Sequence, residues 1–153
     1  MNVLFVCLGN ICRSPLAEAL FVRAVQEHGL AIGADSAGTG NYHIGELPDP
    51  RSRSCARRHG IELTHRARQV KASDFQEYDY LIAMDEDNAA ELRRRAPSGT
   101  ASRVHLMREW DPAGSGAVPD PYYGDDSDFE HVWHLCERSM PGLLGELSQR
   151  MKK

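Results

Sequence analysis

The sequence has no long apolar run, no strong excess of charge and no dense set of cysteines. Its 153 residues include four cysteines, and 18 Lys and Arg residues against 22 Asp and Glu residues give a formal net charge of −4. The missing apolar run excludes a membrane-spanning helix, and the near balance of charge gives no reason to expect nucleic-acid binding. Few cysteines favour a reducing compartment over a disulfide scaffold. We therefore predict a cytoplasmic protein with no secretory signal and no membrane or nucleic-acid partner.

The ordinary composition, with 41% hydrophobic and 26% charged residues, predicts one globular domain over residues 1–153. Strand and helix signals alternate along it. Four short apolar runs predict strands at Asn2–Cys7, Ala31–Ser36, Asp79–Met84 and Ser102–Met107. Helical patterns follow at Ser14–Gly29, Asp49–Gly60, Asp85 or Asp87 to Arg95, and from Ser127 onward. This alternation predicts an α/β fold: a four-stranded parallel sheet with helices on both faces.

Local signals also predict how some helices begin and bend. Ser14 precedes Pro15 in the order expected of an N-cap and the first helical position. The segment Ser127-Asp-Phe-Glu130 matches a capping box for the last helix. The pair Pro141-Gly142 is expected to kink or briefly interrupt that helix.

The segment Cys7-Leu-Gly-Asn-Ile-Cys-Arg13 lies between the first predicted strand and the first predicted helix. In a tight turn of this kind, backbone N–H groups and the helix N-terminus create an anion site. Gly9 permits the torsions of such a turn, and the planar guanidinium of Arg13 suits two oxygens of a phosphate. The same positive field favours a thiolate, so we expect Cys7 to be nucleophilic at neutral pH. The pattern predicts a phosphate pocket with an attacking sulfur at its base.

A cysteinyl-phosphate mechanism also needs a proton donor, and Asp120 is the best candidate. It stands between two prolines in a long irregular stretch from about Arg108 to Asp126. On its own an aspartate in such a position is more often a turn residue. Its occurrence together with Cys7 and Arg13 favours the catalytic interpretation.

Several further segments complete a resemblance that runs from Val3 to the last helix. They are Cys7–Pro15, Asp35-Ser-Ala-Gly-Thr39, Arg58-His-Gly-Ile61, Ala67-Arg-Gln69, Met84-Asp-Glu-Asp-Asn88 and Asp120-Pro-Tyr-Tyr-Gly124. With these motifs the chain resembles the low-molecular-weight protein tyrosine phosphatases. The resemblance implies a flavodoxin-like four-stranded parallel sheet and no metal or organic cofactor. It also implies that Cys7 is the nucleophile, Arg13 the phosphate ligand and Asp120 the general acid.

The resemblance assigns supporting roles to further residues. Ser14 would hydrogen-bond the Cys7 thiolate and ease its departure. Asn10, Ser36 and His65 would form a polar network that holds the loop in a strained shape, with a left-handed conformation at Asn10. The phosphate-binding loop itself comprises Leu8, Gly9, Asn10, Ile11 and Cys12.

The expected substrate is phosphotyrosine in proteins, with small aryl phosphates as surrogates and phosphate or other oxyanions as inhibitors. An apolar, aromatic slot would admit a phenyl ring, whereas a phosphoserine would be too short to reach the sulfur. The expected walls of this slot are Leu8, Ile11, Tyr42, Tyr122 and Tyr123.

Cys12 has two interpretations. A free cysteine is commonly a small buried hydrophobe, but five residues from a reactive Cys7 it could form a disulfide that prevents overoxidation. The second interpretation is favoured, and the resembled family uses it. Cys55 and Cys136 are expected in the core.

Other polar patterns carry less information. The pair His131 and His134 has a spacing that some metal sites use, but the sequence places no partner beside it, so a solvated helix face is favoured and no metal site is predicted. The arginine run 93–95 is expected at a solvated helix end. The roles of the arginines between residues 51 and 58 stay open.

Three other classes of protein share part of this pattern. Arsenate reductases share this loop but need two further cysteines, and the neighbourhood of Met84 supplies none. Protein-arginine phosphatases usually carry threonine at the position of Ile11 and lack the tyrosine pair. A non-catalytic phosphotyrosine-binding module would not need Cys7, Ser14 and Asp120 together.

Overall fold

The computed structural model describes residues 1–153 and contains a sheet of four parallel strands in the order β2-β1-β3-β4. The strands are β1 (Asn2–Cys7), β2 (Gly33–Gly38), β3 (Tyr80–Ala83) and β4 (Val104–Leu106). Each neighbouring pair is parallel, as the alternation of strand and helix signals predicts. The predicted α/β class is confirmed.

Five α-helices accompany the sheet. They are α1 (Arg13–Glu27), α2 (Pro50–Arg58), α3 (Asp74–Glu77), α4 (Glu86–Arg95) and α5 (Asp126–Met151). Two short 3-10 turns, Ala101–Arg103 and Met107–Trp110, flank β4. None of the helices is both long enough and apolar enough to cross a membrane.

The side chains of β1 alternate between two apolar clusters. Val3 and Phe5 pack with α1 and α5 on one face, where the rings of Phe5 and Phe21 lie 5.3 Å apart. Leu4 and Val6 pack on the opposite face with residues of α3, β3 and α4. Burial on both faces explains why β1 is an unbroken apolar run, and it confirms helical cover on both sides of the sheet.

Several predicted boundaries shift by one or two residues. β2 spans Gly33–Gly38 instead of Ala31–Ser36, because its residues pair in register with Asn2–Cys7 of β1. β4 is shorter than predicted, since 3-10 turns take up both of its ends. The four-residue helix α3 was not predicted, because a single turn leaves no helical period to detect.

Two predicted helix starts are wrong. Helix α1 begins at Arg13 after Cys12, so Ser14 lies inside the helix and does not cap it. In α5 the N-cap is Asp125, whose carboxylate accepts from the N–H of Ser127, and the capping box pairs Asp125 with Asp128. The carboxylate two residues earlier therefore takes the role predicted for Ser127.

Of the kink or brief interruption expected at Pro141-Gly142, the interruption is wrong, because α5 is continuous from Asp126 to Met151. A kink within the continuous helix stays a prediction. Pro141 has no N–H to donate to the carbonyl of Glu137, four residues earlier. Both residues are exposed, so water can hydrogen-bond to that carbonyl. A Cβ atom at Gly142 would approach the Trp110 carbonyl oxygen to 2.9 Å. Glycine is required there by close packing.

The strand order reverses direction at β1, because β2 lies on one side of it and β3 on the other. In open α/β sheets, ligands bind outside the carboxyl ends of strands at such a point. The loop between β1 and α1, from Cys7 to Arg13, lies at this position. The topology therefore points to this loop as the functional site.

Candidate active site

Cys7 ends β1 and Arg13 begins α1, so the loop between them joins the sheet directly to a helix N-terminus. Both side chains are buried. The Sγ atom of Cys7 lies 3.1 Å from the Oγ atom of Ser14, within hydrogen-bond reach. Ser14 faces the sulfur because it occupies the first turn of α1.

Asn10 fixes the shape of the loop. Among the non-glycine residues, Asn10 alone has a positive φ, 58°, and its side chain is buried. Its Nδ2 donates to the Oγ atoms of Ser14 and Ser36 at 2.8 and 3.0 Å. Its Oδ1 accepts from His65 Nε2 at 2.8 Å and from the Arg68 backbone N–H at 3.0 Å. These four hydrogen bonds hold a conformation that costs a non-glycine residue energy.

A second layer of polar groups surrounds Asn10. Ser36 Oγ donates to Glu18 Oε1 at 2.6 Å, and His65 Nδ1 lies 3.3 Å from Asp35 Oδ1. Arg68 Nε donates to the same Asp35 at 3.0 Å. Burial raises the pKa of Glu18 to about 7, while the hydrogen bond from Ser36 opposes that shift. The expected network of Asn10, Ser36 and His65 is therefore present, and it is larger than the sequence indicated.

The backbone N–H groups from Leu8 to Cys12 donate no hydrogen bond within the protein. Buried or half-buried N–H groups are nearly always paired, so an unpaired run beside a helix N-terminus needs an acceptor from outside. A tetrahedral anion supplies several oxygen acceptors at once. The loop thus has the donors that a phosphate site requires.

Arg13 is 3% exposed and held from both sides of the loop. Its Nη1 donates to Asp85 Oδ2 at 2.7 Å and to the carbonyl of Val118 at 3.0 Å. Its Nη2 lies 3.8 Å from Asp120 Oδ2. Burial alone would lower the pKa of Arg13, but the neighbouring Cys7 and Asp85 raise it above its ordinary value. Arg13 is therefore a fixed cation.

The sequence analysis gave no role in this site to two of these supporting residues, Asp85 and Arg68. Asp85 and Arg68 both lie within motifs that carry the resemblance, namely Met84–Asn88 and Ala67–Gln69. Their contacts join residues 72 and 58 positions apart, to Arg13 and Asn10 respectively. The motifs were the available signal, but spacing along the chain could not say which loop they support.

A cavity of about 310 Å³ opens above the loop. Its walls include each residue that the sequence analysis placed in the slot, together with His43, which it missed: Leu8, Ile11, Tyr42, His43, Tyr122 and Tyr123. Cys7, Cys12, Arg13 and Asp120 line the same cavity. A larger cleft of about 580 Å³ lies between α1 and α5, but no cysteine lines it.

Asp120 lies in the irregular segment between the turn at Trp110 and α5, as predicted. Its Oδ1 accepts from the Tyr122 N–H at 3.1 Å, and its side chain is 47% exposed. Arg51 supports this segment from α2 by donating to the carbonyls of Tyr122 and Gly124 at 2.9 and 3.0 Å. Arg51, whose role the sequence left open, therefore supports the segment that carries Asp120.

The remaining arginines of α2 form surface ion pairs. Arg53 and Arg57 both face Glu62, and Arg58 donates to Glu130 at 2.7 Å. The run at residues 93–95 also ends a helix, where Arg94 and Arg95 pair with Glu91. These arginines are exposed or half-buried, in agreement with the favoured interpretation of a solvated face for the run.

Cys12 is buried at the same cavity as Cys7. Burial, followed by the charges of Cys7 and Asp49, raises the pKa of Cys12 above the ordinary thiol range. Cys12 is therefore held as a thiol. Cys55 and Cys136 are fully buried, as expected.

Glu18, Asp35 and His65 bring three metal-ligating atoms within 4.8 Å of one another. Their polar atoms are already engaged by Ser36 and Arg68. The group also supports the loop directly, because His65 Nε2 lies 2.8 Å from Asn10 Oδ1, and Ser36, which donates to Glu18, accepts from Asn10 Nδ2. We therefore assign Glu18, Asp35 and His65 to support of the loop.

Comparison with known proteins gives the family. The profile described as low molecular weight phosphotyrosine protein phosphatase matches residues 2–153. A human low molecular weight phosphotyrosine protein phosphatase is 45% identical over 147 residues, covering 94% of this chain and 93% of the human protein. A low molecular weight protein-tyrosine-phosphatase of Streptomyces coelicolor is 44% identical, covering 99% and 96%. This chain belongs to the low molecular weight phosphotyrosine protein phosphatase family.

The fold agrees with solved structures of relatives. A protein tyrosine phosphatase from Entamoeba histolytica, crystallised with Hepes in its active site, superposes with a TM-score of 0.95 at 39% identity. The match covers 99% of each chain. The predicted low-molecular-weight phosphatase fold is thus confirmed.

Proposed function

We propose that the protein hydrolyses phosphotyrosine in proteins, and small aryl phosphates, through a cysteinyl-phosphate intermediate. One observation carries the proposal. Cys7, Arg13 and Asp120 line one cavity whose other walls are apolar and aromatic. Family membership supports the activity, and this geometry supports the role of each residue.

In the first step, the Cys7 thiolate attacks phosphorus and the bond from phosphorus to the phenolic oxygen breaks. Asp120 gives its proton to the departing oxygen, which leaves as the neutral phenol. Arg13 and the N–H groups from Leu8 to Cys12 bind the three remaining phosphoryl oxygens. Because these donors are held in place beforehand, they stabilise the charge of the transition state without reorganising.

In the second step, Asp120 takes a proton from water, and the oxygen of that water attacks the phosphocysteine. The bond between sulfur and phosphorus breaks, and Cys7 leaves as a thiolate. The Ser14 hydroxyl, 3.1 Å from the sulfur, stabilises that thiolate. Inorganic phosphate is released, so phosphate and similar oxyanions should compete with substrate.

The walls of the cavity support an aromatic substrate. Tyr42 and Tyr123 are 70% and 97% exposed, and the rings of Tyr122 and Tyr123 meet edge to face at 5.0 Å. Exposed aromatic side chains beside a deep charged base suit a phenyl ring that carries its phosphate inward. Because the wide rim is open to solvent, the ring can belong to a protein chain.

The most direct test is Cys7→Ser in the purified protein. We expect no steady-state turnover of phosphotyrosine peptide, while phosphate or vanadate still raises the melting temperature, because Arg13 and the loop amides remain. Wild-type protein should release p-nitrophenol in a burst matching the enzyme concentration if hydrolysis of the intermediate is the slower step. Measurable turnover by the serine variant would remove Cys7 as the nucleophile.

Parallel assays separate the alternatives. Phosphotyrosine peptide, phosphoarginine and arsenate should be compared under the same conditions, with turnover expected for the first. Preferential turnover of phosphoarginine would reassign the substrate. Binding of phosphotyrosine peptide without any turnover would instead define a recognition module.

Cys7 and Cys12 also support a redox role. Oxidation of Cys7 by peroxide would give a sulfenic acid, and attack by the Cys12 sulfur would form a disulfide and release water. Reduction by dithiothreitol should restore activity. Cys12→Ser should keep activity but lose recovery after peroxide, as measured by activity and by mass mapping of the disulfide. Equal recovery in the serine variant would contradict this protective role.

A further inference from the structure

Helices α2 and α5 bring four metal-ligating side chains together away from the catalytic cavity. Cys55 and His59 lie four residues apart on α2 and at its end, and Glu130 and His134 lie four apart on α5. This spacing places each pair on one helical face. The ligating atoms of Cys55, His59 and Glu130 all lie within 4.8 Å of one another, and His134 Nε2 lies 3.8 Å from Glu130 Oε2.

We propose that Cys55, His59, Glu130 and His134 form a zinc-binding site. Thiolate, imidazole and carboxylate are the ligands that Zn²⁺ takes in proteins, and four of them complete a tetrahedral site. The sequence analysis predicted no metal, because it could place no partner beside His134. The fold places Glu130 Oε2 3.8 Å from His134 Nε2, and the rings of His59 and His134 have centroids 6.0 Å apart.

Two ligand pairs can be compared with the separations that zinc requires. Ligand atoms at normal zinc bond lengths of about 2.0–2.3 Å stand roughly 3.3–3.7 Å apart in a tetrahedron. The pair His134 and Glu130, at 3.8 Å, is already near that separation. His59 Nε2 and Glu130 Oε2 are hydrogen-bonded at 2.7 Å, so they would move apart by about 0.6 Å.

Two of the ligands are oriented by neighbours. The His59 ring stacks on Trp133 with centroids 4.2 Å apart and an interplanar angle of 9°. Arg58 Nε donates to Glu130 Oε1 at 2.7 Å, which leaves Oε2 for the cluster. Outer partners of this kind hold metal ligands in place and are characteristic of metal sites.

Zinc binding changes the protonation of two ligands. The thiol proton of Cys55 leaves to solvent, and the Nε2 proton that His59 donates to Glu130 must move to Nδ1 or to solvent before the Nε2 lone pair can bind the ion. The thiolate of Cys55 and the carboxylate of Glu130 oppose the two positive charges of the ion, and Arg58, 2.7 Å from Glu130 Oε1, adds one further positive charge beside the site. Binding should therefore weaken as the pH falls, since protons compete for the same ligands.

A metal in this position would tie α2 to α5 near the phosphate loop without touching its chemistry. Helix α2 already supports the loop, because Ser52 Oγ donates to the Cys12 carbonyl and the Asp49 N–H donates to the Ile11 carbonyl, each at 2.9 Å. Zinc should consequently raise the thermal stability of the folded chain.

The test must keep the catalytic thiols from binding metal. The full chain carrying Cys7→Ser and Cys12→Ser is titrated with Zn²⁺ against a chromophoric chelator, and with Co²⁺ by absorption spectroscopy. His134→Gln and Cys55→Ser are then added singly. His131→Gln is the matched control, because His131 is an exposed histidine of the same helix outside the cluster.

We expect one zinc per chain and a higher melting temperature with zinc. His134→Gln and Cys55→Ser should each weaken binding at least about tenfold, since loss of a ligand should cost no less than loss of an outer partner. Cobalt should give a thiolate charge-transfer band that Cys55→Ser abolishes. His131→Gln should change none of these readouts.

Three results would overturn the site: no saturable binding, equal weakening by His131→Gln, or binding unaffected by both cluster variants. His134 is 61% exposed, so its replacement should leave the fold intact. Circular dichroism of each metal-free variant checks this. An unfolded Cys55→Ser chain leaves the decision to His134→Gln.

Discussion

The loop from Cys7 to Arg13 and the segment from Asp111 to Asp125 meet at one cavity, but they are held in different ways. In the loop, the Asn10 side chain is buried and makes four hydrogen bonds. In the segment, the Asp120 side chain is 47% exposed and accepts one hydrogen bond, and Tyr123 is 97% exposed. The groups proposed to bind the anion are therefore buried in the folded core, whereas the proposed proton donor and the aromatic wall lie at the surface.

This difference separates stability from catalysis. A substitution in the buried loop should weaken the fold and the activity together, because the same hydrogen bonds serve both. A substitution at the exposed tip of the segment should change turnover and leave unfolding almost unaffected. Activity and unfolding should therefore be measured on the same variants.

The largest effect is expected at Arg13. Arg13→Lys should be nearly as damaging as Arg13→Ala, because a point charge cannot reproduce the two-oxygen grip of a guanidinium. Each should lower kcat/KM by about a thousandfold or more, since loss of even one oxyanion donor typically costs a hundred- to a thousandfold. Steady-state kinetics with p-nitrophenyl phosphate would measure this. Near-normal activity of the lysine variant would contradict the proposed geometry.

Asp120→Asn should come next and should depend on the leaving group. Loss of a general acid typically lowers the rate by a hundred- to ten-thousandfold. That loss should appear in full with phosphotyrosine and only slightly with p-nitrophenyl phosphate, whose phenolate departs without a proton. Urea unfolding should be unchanged, because the side chain is half exposed.

Asp125→Asn is the control for the acid, because Asp125 is a nearby carboxylate that caps α5. Asparagine is also a good N-cap, so the variant should lose only the favourable negative charge at the helix N-terminus. It should therefore lower stability modestly and show no dependence on the leaving group. If Asp125→Asn showed that dependence and Asp120→Asn showed none, the general acid would be Asp125 and the assignment to Asp120 would be wrong.

The predictive power of the sequence follows the same division. The strand, loop and helix around Cys7 are contiguous, so apolar pattern and local chemistry were enough to predict them. Asp85 and Arg68 reach the loop across 72 and 58 residues, and no local pattern records such contacts. Asp120 could be singled out only because Cys7 and Arg13 occur in the same chain, since an aspartate at such a position is on its own more often a turn residue.

The errors at helix starts have a related cause. Ser14 satisfies every local rule for an N-cap, but its hydroxyl contacts Cys7 and Asn10 within the folded loop. Local preference was overridden by the site. The capping box at α5 was misplaced for a simpler reason: Asp125 and Ser127 are both good caps, and sequence alone does not choose between them.

Asn10 should show a combined loss of stability and activity. Asn10→Ala removes four hydrogen bonds, two of them buried, and leaves a residue with a Cβ atom but no polar side chain at φ 58°. We expect the free energy of unfolding in urea to fall by about 3 kcal/mol, from hydrogen bonds worth roughly 0.5–1.5 kcal/mol each. Turnover should fall in the same variant.

Asn10→Gly separates the two causes. Glycine adopts the left-handed conformation freely but makes none of the side-chain hydrogen bonds. It should be more stable than the alanine variant by about 1 kcal/mol. If the Asn10→Gly variant were as stable as the wild type, the side-chain hydrogen bonds of Asn10 would contribute little to stability.

The last predicted effect is one of stability and depends on pH, and we expect it at Asp111, where the segment joins the core. Its buried carboxylate accepts from Arg138 Nε and Nη2 at 2.7 Å each and from Arg108 Nε at 2.9 Å. The hydrogen bonds from Arg138 hold the pKa of Asp111 well below its ordinary value. A lowered pKa means that this carboxylate stabilises the fold above the unfolded pKa of about 4 and loses that contribution as the pH falls through the folded value. Asp111→Asn should therefore melt below wild type at pH 7, and the gap should narrow as the pH falls below 4. The control is Asp126→Asn at an exposed position, which should show no such difference in melting temperature. A difference for Asp111→Asn that stays constant between pH 7 and pH 3 would contradict a stabilising role for the ion pairs of Asp111 with Arg108 and Arg138.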